Sequence, residues 1–174
     1  MIQFENKKIL VVVAHPDDEL LGLGGTINYL VQKCSVHIKV VILGEGITSR
    51  SDSRNTDLWK KQLEQHKKNI YDAKKVLGYQ ELSCYDFPDN RFDNVNLLDI
   101  IKVIEKETNS FQPDIIFTHH GGDLNIDHQR TFEAVMTSSR PYQEDKLTTI
   151  ITFETPSSTE WQSSIDPRSF RPNF

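Results

Sequence analysis

Cysteine is scarce. Only Cys34 and Cys84 occur in 174 residues, and neither sits in a C-x-x-C spacing. That argues against a disulfide-stapled scaffold and a thiolate metal site, and leaves both as ordinary small apolar residues of a reduced, cytoplasmic protein. Long apolar runs are missing too. No stretch approaches the roughly 20 residues of a membrane span, and residues 1–8 lack the apolar region of a signal peptide. Positive charge is not in excess: 20 Lys and Arg against 25 Asp and Glu give a formal net charge of −5. This argues against nucleic-acid or anionic-membrane partners, which require a basic face. There is no internal repeat and no low-complexity segment.

What is present is the balance of a globular domain, with 37% hydrophobic and 26% charged residues. The length suffices for one domain, residues 1–174, with its own hydrophobic core. The most informative stretch is Ile9 to Glu19. An apolar run from Ile9 to Ala14 stops at His15, Pro16, Asp17, Asp18 and Glu19. A helical pattern follows through Leu20, Leu21, Leu23, Ile27, Leu30 and Val31. Such a run reads as a buried parallel strand entering a strand-to-helix turn. Pro16 suits that turn, because N–H groups of a first helical turn lack intrahelical partners anyway.

Further along, the pattern predicts a helix over 19–33, a strand over 37–43, a helix over 59–77 closed by Gly78, and a strand over 81–87. A helix over 97–107, a strand over 114–118, a helix over about 127–139 and a strand over 148–153 complete the series. Gly22, Gly24 and Gly25 suggest close packing of the first helix on a sheet. The polar segment 47–57 reads as mobile, and His66, on the apolar seam of its helix, as a packed core residue. Alternating strands and helices imply an α/β fold, a three-layer sandwich with a mostly parallel sheet. Ligands of such sheets bind beyond the strand C-termini at a switch in strand order. The first and fourth strands end in the two densest polar clusters, so these strands are expected to be neighbours.

The second cluster runs from Thr118 to His128. Four of the six histidines, His15, His119, His120 and His128, fall in the two clusters. A catalytic zinc wants three imidazole or carboxylate ligands and an open position. His15 and Asp18, three apart, could aim at one point, and His128 could supply a third ligand. Asp17 would lie to the side and could take a proton from water. The glycines after the acidic turn make a poor dinucleotide motif, since carboxylates would face the pyrophosphate.

Ala14-His15-Pro16-Asp17-Asp18-Glu19 resembles the signature of the PIG-L/LmbE-like zinc-dependent N-deacetylases, and Asn125-Ile126-Asp127-His128 stands at the place of that family's second motif. Leu77-Gly78 and Phe87-Pro88-Asp89 are also similar. The resemblance implies a Rossmann-like fold, zinc or another divalent metal, and removal of an acetyl group from an N-acetylated amino sugar or its conjugate. By position it implies His15, Asp18 and His128 as metal ligands and Asp17 as general base. Asn125 stands where relatives carry a histidine. It can donate a hydrogen bond to an oxyanion but cannot act as a general acid. His119, His120 or reprotonated Asp17 could fill that role. Glu45, Arg54, Asp89 and Arg91 lie after the second or third strand and read either as hydroxyl-binding residues or as solvated loop charges. The chain also stops where relatives continue with more sheet and a final helix, so a short form lacking part of the substrate wall is expected. The implied partner is a small sugar, with homo-oligomerisation open. The rival from another class is a metal- or sugar-binding remnant without catalysis.

Overall fold

The computed structural model describes residues 2–141 and 148–173. Strands β1 (Lys8–Val13), β2 (His37–Gly44), β3 (Glu81–Phe87), β4 (Ile115–His119) and β5 (Thr149–Phe153) alternate with helices α1 (Asp18–Lys33), α2 (Lys60–Leu77), α3 (Leu97–Phe111) and α4 (Ile126–Ser138). All strand pairs are parallel, in the order β3-β2-β1-β4-β5. β1 and β4 are neighbours, with Val12 opposite Thr118. The chain winds one way from β1 to β3 and then returns to the other side of β1. That reversal opens a crevice at the C-terminal ends of β1 and β4.

Strand alternation divides the core in two. Ile9, Val11 and Val13 point to one face, where Leu23, Ile27 and Leu30 of α1 and Ile70 and Leu77 of α2 cover them. Leu10, Val12 and Ala14 point to the other, under Ile100, Ile101 and Ile104 of α3 and Ala134 and Val135 of α4. A strand buried on both faces has no polar side to show, which is why β1 reads as an unbroken apolar run.

Several local features differ from expectation. Gly22 alone of the three glycines meets the tight contact. A Cβ there would lie 2.3 Å from the Phe153 ring, whereas Gly25 faces open space. α3 runs a turn further, to buried Phe111, and is closed by the Gln112 N–H to the Thr108 carbonyl. Segment 47–57 is tied down rather than loose. Thr48–Arg50 form a 3-10 turn with Thr48 buried, Arg91 reaches the Ser51 and Asp52 carbonyls, and the Trp59 indole donates to Ser51 Oγ. Cys34 is buried, but Cys84 is exposed on edge strand β3. No helix among the described residues is long and apolar enough to cross a membrane.

Candidate metal centre

The turn after β1 and the start of α4 bring three side chains together. His15 Nδ1 lies 3.5 Å from Asp18 Oδ2, and His128 Nε2 lies 3.3 Å from the same oxygen. The three candidate ligand atoms all fall within 4.8 Å of one another. Asp18 and His128 are buried. The His15 backbone N–H donates to Asp18 Oδ2 at 2.8 Å, which fixes the carboxylate over the turn.

Carboxylates behind the histidines settle which nitrogen carries a proton. Asp127, fully buried, accepts the Asn90 and Phe92 backbone N–H groups and lies 2.9 Å from His15 Nε2. A carboxylate accepts only, so His15 Nε2 donates and Nδ1 presents a lone pair. Asp123, also fully buried, lies 3.1 Å from His128 Nδ1, while His128 Nε2 has no hydrogen-bond partner. Two imidazole lone pairs and a carboxylate therefore converge with no donor side chain between them. That arrangement could hold a metal ion.

Without the cation, protons neutralise the cluster. Burial would lower both histidines, but hydrogen bonds to Asp127 and Asp18 raise His15 to about 10. Bonds to Asp123 and Asp18 likewise raise His128 to about 9. Burial would raise Asp18, yet the surrounding imidazoles hold it well below the usual carboxylate range.

His119 lies beneath this centre, fully buried and stacked on His128 with ring centroids 3.8 Å apart. Its Nε2 accepts from the Ala14 N–H at 3.0 Å, so its proton sits on Nδ1, facing Thr155 Oγ1. Burial, then the charge of His128, depress it to about 4, consistent with a neutral ring. It is thus a support and not a cleft residue. His120 points away, bound to the Arg168 carbonyl.

An open cleft of about 310 Å³ adjoins the ligands. Asp17 opens onto it, with partial desolvation and then the charge of Asp18 pushing its carboxyl up to about 6. Asp17, Ile47 and Asn90, all with positive φ (102°, 74° and 51°), all line this cleft. For Ile47, a β-branched residue, this is strained backbone of the kind that clusters at functional sites. Asp89 also lines it, 3.4 Å from His15 Nε2 and held by Ser49.

Glu45, Arg54 and Arg91 do not line the cleft. Arg54 forks onto both oxygens of Glu45, and Arg91 holds loop carbonyls, so these three brace the rim. Asn125 does line the cleft, but with a second task. Its side-chain oxygen caps α4, accepting from the Asp127 and His128 N–H groups, and its Nδ2 donates to Asn90 Oδ1. His66 is no core residue: it lines the cleft, with Nδ1 buried and without a hydrogen-bond partner among the described residues. Asp123, Asp127 and Asn90 were not singled out from the sequence. An acid next to a ligand was the only signal for Asp127, and Asp123 carried none.

The chain is similar to known proteins over most of its length. Residues 10–139 match the family model PIG-L, described as GlcNAc-PI de-N-acetylase. The chain is 29% identical over 165 residues to the uncharacterized deacetylase YaiS of Escherichia coli K12, spanning 88% of this chain and 76% of that one. It is 30% identical over 105 residues to the diacetylchitobiose deacetylase of Thermococcus kodakarensis, covering 58% of this chain but 38% of that protein. The solved N,N'-diacetylchitobiose deacetylase of Pyrococcus horikoshii shares the fold at a TM-score of 0.69 and 22% identity, over 86% of this chain and 61% of that one. With the matched region covering most of its length, the chain belongs to the PIG-L family.

Proposed function

We propose that the chain is a metal-dependent N-deacetylase that cleaves the acetamide of an N-acetylglucosamine-type sugar or sugar conjugate, with zinc as its metal. The observation that carries this reading is the convergence of His15 Nδ1, Asp18 Oδ2 and His128 Nε2 beside the open carboxyl of Asp17. The deacetylase relatives supply the substrate class.

His15, Asp18 and His128 would hold the metal, which when bound supplies Lewis acidity toward an amide carbonyl and makes water a stronger acid. Asp17 does the proton work. Its carboxyl, raised by burial and by Asp18 in the metal-free site, opens onto the cleft and would accept a proton from the attacking water. The same carboxyl, once protonated, returns that proton to the leaving amine as the C–N bond breaks. Asn125 Nδ2, at the cleft wall and with one hydrogen given to Asn90 Oδ1, has a second hydrogen that would serve a developing oxyanion. Asp89, at the cleft wall, would accept a sugar hydroxyl.

The test is acetate and free-amine release from a panel of N-acetylglucosamine derivatives differing at the anomeric carbon, with zinc-loaded protein. Hydrolysis of at least one member, abolished by chelation, supports the proposal. Tight sugar or metal binding without any acetate release would replace it with the binding-module reading.

A further inference from the structure

Behind His128 stands a hydroxyl pair that none of the catalytic roles uses. After β5 the chain turns back over the site, and a 3-10 turn at Thr159–Trp161 places Ser158 and Thr159 against Asp123. Ser158 Oγ lies 2.9 Å from Asp123 Oδ2 and 3.2 Å from His128 Nδ1. Thr159 Oγ1 lies 2.5 Å from the same Asp123 oxygen and accepts the Thr155 N–H at 2.8 Å. The other oxygen of Asp123 accepts the Asn125 N–H.

The protons can be placed one by one. A carboxylate only accepts, so both hydroxyls donate to Asp123. With its own proton on Asp123, Ser158 Oγ can offer His128 only a lone pair. His128 Nδ1 therefore keeps its hydrogen, and Nε2 keeps the free lone pair that faces Asp18 and His15. Thr159, filled by the Thr155 N–H on one side and directed to Asp123 on the other, has a fixed proton direction.

From this geometry we infer that Ser158, backed by Thr159, is a positioning residue that locks the His128 tautomer and thereby sets metal affinity. The inference rests on the metal-centre reading above. Outer partners of ligating histidines change metal affinity by roughly 10–100-fold on mutation, and that is the expected scale here.

The experiment is zinc affinity by competition with a chromophoric chelator, on purified wild type, Ser158→Ala, Ser158→Thr and Thr159→Val, each with its Tm recorded. Ser158→Ala should weaken zinc binding by at least about tenfold, and Ser158→Thr, which keeps the hydroxyl, should bind within about threefold of wild type. Thr159→Val should weaken binding in the same direction. Ser158→Ala binding like wild type overturns the inference whatever its Tm. A loss that Ser158→Thr fails to restore overturns it as well, because bulk and not the hydroxyl would then be responsible. If the wild type itself binds no zinc, the metal-centre reading fails first, and that result is distinct from either outcome.

Discussion

Two adjacent acids in one turn have different surroundings, and the difference is one of direction. Asp18 is buried, with its oxygen between two imidazoles, whereas Asp17 opens onto the cleft from a left-handed backbone position. Asp17→Asn should therefore retain stoichiometric zinc and lose about 10²–10⁴-fold in turnover, while Asp18→Asn should lose the metal. Metal analysis beside the acetate assay checks both, and exchanged outcomes would exchange the roles. Asn125 needs a finer separation, since it caps α4 as well as facing the cleft. Asn125→Ala removes both functions and about 1 kcal/mol of stability with the cap. Asn125→Ser keeps a capping oxygen but removes the amide N–H, so it should hold its Tm and lose about 10²–10³-fold in turnover. Wild-type turnover in Asn125→Ser would remove the donor role. At this scale the candidate ligands and the candidate base stand out in the sequence because they crowd into two short clusters. Asp123 does not, because an acid's value to a histidine 5 residues away depends on the turn between them. His66 looked like core, because helical spacing reports which side of a helix a residue is on but not that the neighbouring turn opens a cleft there.

Among the elements, α1 is the one whose packing the site depends on, since its first turn carries Asp18. Gly22 lets it approach β5: a methyl there would overlap the Phe153 ring. Gly22→Ala should destabilise by roughly 1–3 kcal/mol despite its better helix propensity. Gly25→Ala, in open space, should instead stabilise by up to about 1 kcal/mol. Denaturation midpoints of the two variants should move in opposite directions. On the other face, Lys39 of β2 and Tyr85 of β3 meet Glu107 of α3, at 2.7 and 2.6 Å. Burial would raise the Glu107 carboxyl, but the Lys39 and Tyr85 bonds hold it below its ordinary 4.5. A depressed carboxyl stabilises the fold above that ordinary value and loses this contribution as pH falls through the folded-state value. Glu107→Gln should therefore lower Tm near neutral pH and flatten the acid side of a Tm-against-pH curve. Element order and boundaries were largely legible from apolar periodicity and from Gly78. The loop 47–57 was not, because its order comes from Arg91, Trp59 and Asp89, which are distant in sequence.

At the scale of the whole molecule, the sheet order does the assembling. β1 supplies His15 and Asp18 through the turn that follows it, β4 leads to Asp123 and His128, and β5 leads to Ser158 and Thr159. These three strands are neighbours, so residues up to 144 positions apart meet at one end of the sheet. The parallel sheet and the β1–β4 adjacency followed from the sequence. The contribution of the chain after β5 did not, since Ser158 and Thr159 stand in a polar tail with no periodicity to place them. The proposed chemistry requires those three side chains to hold one metal ion. Zinc titrated into metal-free protein by calorimetry tests this most directly. One ion per chain is expected in wild type and Asp17→Asn, and loss of that site in His15→Ala and His128→Ala. Undiminished binding in both histidine variants, or no binding in the wild type, would contradict it.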